Sequence, residues 1–432
     1  MKVKNKEKRT NRFELAILSI ILILIENCFF LIDVNSVNIK GIFNYDDIPL
    51  ALSIIWSFYV LIKYRDIKVE KYRLKYQILF VPVLVIISSI RGQQLYGQSM
   101  LLGIRPQRFF LLLFLMYFPF CKFLHADERN KVDLEKVLYK LGVIALIIYT
   151  TQYVLSSKIL FLYVRESFRY GGTRLHFDSI LVNIVFFFTL ENILRKIQMK
   201  KNFVILSLLV FYNIFIIRGR LSILALLFSS ILIILLCKKN LLIKIPGIIF
   251  GVLIFGGLLM TPLLSEYASV LNKDTRSLDP NYIIRELGKE NYLKQLKNSP
   301  IVGRGYINEL NEKAYEASGI DKGYYLNDNG ITAFVYMYGI IGGVWAISLF
   351  IKMYVYAFEM YIKQKKQIYM AYIIYLTVLL PNILQFYWGF GPMYTIIIMC
   401  SLEANLDVET IVRIKNGEGN NSEFKMEGIY GV

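Results

Sequence analysis

Arginine marks the borders of this chain's apolar runs. Arg91, Arg105, Arg108, Arg165, Arg169, Arg174, Arg218 and Arg220 stand in short polar breaks on one predicted side, where the only lysines are Lys40 and Lys158. On the other predicted side lysine outnumbers arginine by more than three to one. Simple positive charge is served by lysine, whereas a guanidinium adds a planar fork of donors that fits two phosphate oxygens at once. The arginine-rich side therefore invites an anionic ligand; the bland alternative is anchoring among lipid headgroups. Two more arginines, Arg285 and Arg304, fall in one long hydrophilic stretch. Asp328 and His176 are the groups beside them able to take a proton near neutral pH. These residue types suit the binding of a phosphate-bearing ligand, with groups at hand that can exchange a proton.

Membrane helices must position these residues. The chain is 56% hydrophobic with mean hydropathy +0.48, and apolar runs near the length needed for a ~30 Å hydrocarbon core recur throughout. Twelve spans are predicted, at 13–33, 46–62, 76–90, 108–124, 139–156, 176–194, 203–217, 221–237, 244–264, 330–350, 369–387 and 390–404. The expected fold is an all-α polytopic integral membrane protein. Its parts are nine spans in 1–264, one large extracytoplasmic loop at 265–329, three spans in 330–405 and a polar tail at 406–432. The first apolar run has no small-residue cleavage site, so no cleavable signal peptide is expected. Most of the 50 Lys and Arg fall in 1–12, 63–75, 122–140, 195–201, 238–244, 352–366 and the tail. By the positive-inside rule this puts both termini in the cytoplasm. The net charge of +18 thus sets topology, and no nucleic acid partner is expected.

The four cysteines lie in or at the ends of apolar runs, and His125 and His176 are far apart. No metal-ligand spacing results, and no metal or cofactor is expected. There is no internal repeat and no nucleotide-binding glycine loop. The segment from Arg91 to Arg108 alternates glycine, amide and apolar residues. It reads either as a short re-entrant helix in the interface or as an ordinary interfacial loop.

Four local patterns stand out. N298-S-P-I-V-G-R-G305 combines a helix-ending Pro300 with Gly303 and Gly305, whose backbone freedom can expose amides beside Arg304; alone it is a turn. Asp328-Asn329 is followed, nine residues on, by Gly339-Ile-Ile-Gly342. Taken alone, Asp or Asn is an ordinary helix N-cap, and Gly339 with Gly343 is a small-residue pair for helix packing. Arg220 with Leu224 stands at the mouth of a span, where snorkelling to headgroups is the alternative role. Arg165 to Asp178 carries Arg169, Arg174 and His176, the last of which also reads as a satisfied helix-end histidine.

Together with the predicted topology and the late loop, these patterns resemble the bacterial O-antigen ligase and polysaccharide polymerase superfamily, closest to Wzy-type repeat-unit polymerases. In that superfamily a P-hydrophobic-hydrophobic-G-x-G turn precedes the return to the membrane, with an arginine about one short helix earlier, where Arg285 stands. The ligase motif has a histidine where this chain has Asp328, a departure that tilts the resemblance toward polymerases.

The resemblance implies a GT-C-like, metal-independent, inverting glycosyltransferase of the bacterial plasma membrane. It would extend undecaprenyl-diphosphate-linked oligosaccharides into capsular, exo- or O-antigen polysaccharide. Arg220, Arg285, Arg304, Arg174 and Arg169 would grip diphosphate. Asp328 would be the base with His176 in reserve, and Pro300, Gly303, Gly305, Asn329, Gly339 and Gly342 would hold the frame. Besides the lipid-linked substrates and the bilayer, a chain-length regulator and a flippase would be partners. A ligase attaching finished glycan is the nearest alternative, and a lipid-linked oligosaccharide flippase the more distant one.

Overall fold

The computed structural model describes residues 4–38, 44–69, 72–169, 172–177, 179–236 and 280–415. Fourteen α-helices are numbered here in chain order among those residues. They are α1 (Lys4–Ile25), α2 (Asp47–Lys63), α3 (Lys75–Tyr96), α4 (Met100–Ile104), α5 (Leu112–Ala126), α6 (Glu128–Leu155) and α7 (Ile180–Leu194). Then follow α8 (Met199–Phe211), α9 (Arg220–Leu236), α10 (Pro280–Leu296), α11 (Glu312–Ser318), α12 (Gly330–Gln364), α13 (Ile368–Leu379) and α14 (Gly391–Lys415). A hairpin of β1 (Glu166–Arg169) and β2 (Gly172–Leu175) interrupts the helices. The predicted span at 244–264 lies outside the described residues.

Among the described residues, length and apolar content let four helical stretches cross a bilayer: Lys75–Tyr96, Glu128–Leu155, Met199–Ile217 and Gly330–Gln364. A fifth arises if Met100–Arg108 and Leu112–Ala126, bent by 44°, form one span. The surface agrees. Along α12 the residues Ile340, Val344, Ile347, Ile351, Val355, Phe358 and Ile362 are all exposed, at steps of three and four. In water so long an apolar stripe would be a liability, and in lipid it is the outer face of the bundle. The chain has the α-helical architecture of a membrane protein, in which Phe13–Ile25, Ile180–Leu194, Leu221–Leu236 and Ile368–Leu379 add shorter apolar helices.

Helix ends follow local chemistry. Asp127 and Ser179 accept backbone N–H groups at the starts of α6 and α7. Gly97, at φ +68°, ends α3 in the left-handed conformation that glycine adopts without strain. The first predicted span ran on to residue 33, but α1 stops at Ile25. Asn27, Cys28, Phe29 and Phe30 then all take positive φ, a left-handed turn that redirects the chain.

The two ends of the bundle differ in how they treat charge. At the end where α1 begins and α2 stops, Lys63 pairs with the fully buried Glu14. Arg73 and Lys363 share Glu359 at 3.0 and 2.6 Å, Lys366 lies 3.5 Å from Glu135, and Arg195 lies 2.5 Å from Glu191. The opposite end, called here the loop end, gathers the hairpin, α10, α11 and the tips of α3 and α12. Removing Lys63 tests the first arrangement. Lys63→Met strands the Glu14 carboxylate and is expected to cost about 3 kcal/mol. Melting in lipid nanodiscs should show the loss, and the double variant Glu14→Gln/Lys63→Met should recover part of it.

Candidate active site

The site begins with a break in α12. Gly339 sits inside this helix at φ +67°, ψ −165°, a conformation essentially confined to glycine. In an unbroken helix the amides of Ile340 and Ile341 would bond the carbonyls of Tyr336 and Met337. Here the segment after Pro300 takes both sets of partners. Arg304 N–H donates to Tyr336 O at 2.8 Å and Gly305 N–H to Met337 O at 3.1 Å. In return Ile340 N–H donates to Pro300 O at 2.8 Å and Ile341 N–H to Ile301 O at 3.2 Å. Two helical bonds are exchanged for four between loop and helix, so the backbone groups freed by the break at Tyr336, Met337, Ile340 and Ile341 are all paired.

Three glycines permit the approach. A Cβ on Gly303 would stand 2.5 Å from Gly339 N, and one on Gly339 would strike Ile301 O. A Cβ on Gly305 would stand 2.5 Å from Gly92 N of α3. The loop is therefore wedged between α3 and α12. Tyr306 N–H reaches Ser88 Oγ at 2.7 Å, and Gln98 donates to Tyr306 O at 2.6 Å. Burial pushes the Tyr306 phenol well above its usual range, with Glu309 adding to the shift and Arg108 opposing it.

This wedge presents Arg304. Its guanidinium carbon lies 5.7 Å from the Tyr96 ring centre, its Nε is buried without a hydrogen-bond partner, and no carboxylate pairs with it among the described residues. Arg91 stands beside the same loop and donates to Ser299 Oγ at 3.0 Å and Gln94 Oε1 at 2.8 Å, both neutral. Ser299 Oγ in turn donates to Gly303 O at 2.7 Å, so Arg91 braces the turn that carries Arg304. Tyr336 hydroxyl donates to Gln295 Oε1 at 3.0 Å and lies 3.4 Å from Tyr96 hydroxyl, tying α10 and α3 into the wall.

One helix away, Arg285 of α10 and Asp328 approach to 4.0 Å, each with more than a third of its side chain exposed. The pair is loose, so both groups remain accessible to a ligand. Asn329 directly behind them is buried; its Nδ2 donates to Tyr325 O while its Oδ1 has no partner. Gly288 lets it approach, since a Cβ there would lie 3.2 Å from Asn329 Nδ2. Asn329 is the N-cap of α12 by position but makes no side-chain capping bond. Tyr292, whose ring centre lies 4.8 Å from that of Tyr336 at a tilt of 42°, has its phenol pushed up by burial and by the Asp328 charge. Gly342 is buried against Tyr338, where an added Cβ would collide.

The remaining predicted residues gather on the hairpin. Ser167 pairs with Arg174 and Arg169 with Gly172 across the strands. His176 Nε2 lies 2.8 Å from Ser167 Oγ, with donor and acceptor set by tautomer. The hairpin packs on a π-helical turn, Tyr212–Ile217, that leads into Arg218 and then Arg220, the first residue of α9. Arg218 is buried and donates through Nε to Phe215 O at 2.9 Å. Of Arg169 and Arg220 only the backbone is described.

Two clusters result, one around the wedge and α10, the other around the hairpin and the α8–α9 turn. Arg91 is the functional candidate that residue types alone left in a general list, because its bracing partner Ser299 lies 208 positions away. Arg108, from the same list, is tied to Asp47 at 3.1 Å. Among the described residues no three His, Cys, Asp or Glu side chains gather as a metal site. No family model, no curated protein and no solved structure matches this chain.

Proposed function

We propose that this protein is a membrane glycosyltransferase that lengthens lipid-diphosphate-linked oligosaccharides, with its reaction centre at the loop end. The observation that carries the reading is the unequal treatment of charge. Lys63, Arg73, Arg195, Lys363 and Lys366 at the opposite end each face a carboxylate, whereas among the described residues no carboxylate pairs with Arg304 or Arg91. Permanently charged donors in a partly dehydrated wall suit a diphosphate whose negative charge grows as the glycosidic bond breaks. Arg285 is placed to add a further contact, and Asp328, already 4.0 Å from it, to take the acceptor proton.

In this reading the chain crosses the bacterial plasma membrane about twelve times with both termini in the cytoplasm, and residues 265–329 form the large external loop. The substrate is an undecaprenyl-diphosphate-linked repeat unit and the product a capsular, exo- or O-antigen polysaccharide. The transfer inverts the anomeric centre. Arg174, Arg169 and Arg220 serve the same diphosphate from the hairpin side, with His176 as the reserve base.

A matched set of Arg220→Ala, Arg285→Ala and Asp328→Ala variants, brought to equal membrane levels, tests the reading. Each is expected to lose the ladder of long polysaccharide, and normal ladders in all three would overturn it. Purified protein given only a lipid-diphosphate repeat unit separates the classes. A polymerase makes longer lipid-linked chains, whereas a ligase lacking its acceptor and a flippase make none.

A further inference from the structure

The two helices that flank the wedge also frame a groove. Tyr76 and Phe80 of α3 form one wall, and Ile340, Ile341 and Val344 of α12 the other, around about 370 Å³. Three polar groups of its lining are engaged within the protein: Trp345 Nε1 donates to Gln77 O at 2.8 Å, Ser348 Oγ to Trp345 O at 2.8 Å, and Lys352 to Gln77 Oε1 at 3.0 Å, while Tyr76 is largely exposed. The groove therefore asks for hydrocarbon. Its upper end abuts the wedge, because Ile340 and Ile341 are the residues whose amides bond Pro300 and Ile301.

Helical spacing aligns the head of this site with its tail. Tyr76, Phe80, Val83, Ile87, Arg91 and Gln94 recur at steps of three and four, so Arg91 stands on the same face of α3 as the groove wall. The eleven steps from Phe80 to Arg91 rise about 16 Å. An uncompensated arginine pair thus sits above an apolar furrow open to the lipid face, where Val344 and Ile340 are 59% and 54% exposed.

We propose that this groove seats the proximal hydrocarbon of a polyprenyl diphosphate whose head is held by Arg91 and Arg304. The inference rests on the reading of those arginines as diphosphate ligands and adds the path of the lipid. A single molecule satisfies both halves: two phosphates offset two guanidinium charges, and the first isoprene units cover the apolar walls. A bulk phospholipid would fill the furrow without needing the arginines.

The test uses full-length protein in neutral phosphatidylcholine nanodiscs. A polyprenyl diphosphate carrying a diazirine on an isoprene unit near its head is photolysed, and adducts are mapped by mass spectrometry. Adducts are expected on peptides containing Phe80 or Val344. They should fall about tenfold in Arg91→Gln/Arg304→Gln, as expected for lost charge-assisted hydrogen bonds. Val344→Trp, at a lipid-exposed position that tolerates bulk, should reduce them while leaving the melting temperature unchanged. Equal labelling by the corresponding polyprenol or by a diazirine phosphatidylglycerol, or adducts mapping elsewhere, would overturn the proposal. Labelling as expected in a protein that extends no glycan would leave the lipid path standing and remove the polymerase reading. Extension with adducts elsewhere would do the reverse.

Discussion

Arg304→Ala is expected to lower the rate of glycan extension by about a hundredfold or more, the scale set by removing one preorganised donor from a developing anion. Among the described residues the side chain has no hydrogen-bond partner, and its contact with Tyr96 contributes about 1 kcal/mol or less. The fold should therefore survive, and activity should fall without loss of membrane level. Arg304→Lys sharpens the result. Lysine keeps the charge but loses the fork, so it should restore only a minor part of the rate if two phosphate oxygens are gripped together. The measurement is chain extension by purified protein from a lipid-diphosphate repeat unit, read as a ladder on a gel. A ladder of normal length and rate in Arg304→Ala would remove this residue from the reaction centre.

The second large effect is on the fold itself. Gly339→Val should cost more than about 4 kcal/mol, since it forces a branched side chain into a glycine-only conformation and drives it into Ile301 O. Failure to recover a monodisperse membrane protein is the expected outcome. Gly303→Ala, with φ +72° and Gly339 N at 2.5 Å from the new carbon, should also destabilise, less severely. Gly343 supplies the control. An added Cβ there meets only Val335 Cγ2 at 3.4 Å, so Gly343→Ala should move stability by no more than about 0.5 kcal/mol. Equal tolerance at Gly339 and Gly343 would show that the break is not needed.

These glycines show how far residues alone carried the reading. Hydropathy located α3, α6 and α12 well, because solvation by lipid depends on composition summed over a whole turn-rich stretch. The wedge residues were found as a motif, yet nothing local distinguishes a glycine that breaks a helix from one that packs it. Gly339 and Gly343 fit small-residue spacing, but only Gly339 meets another segment, and that segment comes from 36 to 38 positions earlier. The left-handed turn at Asn27–Phe30 was invisible for the same reason, since two phenylalanines and a cysteine read as more span. Arg285 and Asp328 stand out in the sequence through two separate patterns of the resemblance, and their approach depends on how α10 lies against the start of α12. Arg91 needed the tertiary partner Ser299 to stand out from its neighbours.

The junction between Pro300–Gly305 and α12 is written almost wholly in peptide groups. Side chains at 301 and 302 contribute little to it, and Ile301 points largely outward. Proteins that inherit this joint are thus free to change most of its letters while retaining glycine at three places. Ancestry of this kind would survive as a sparse pattern of missing β-carbons long after overall identity had faded.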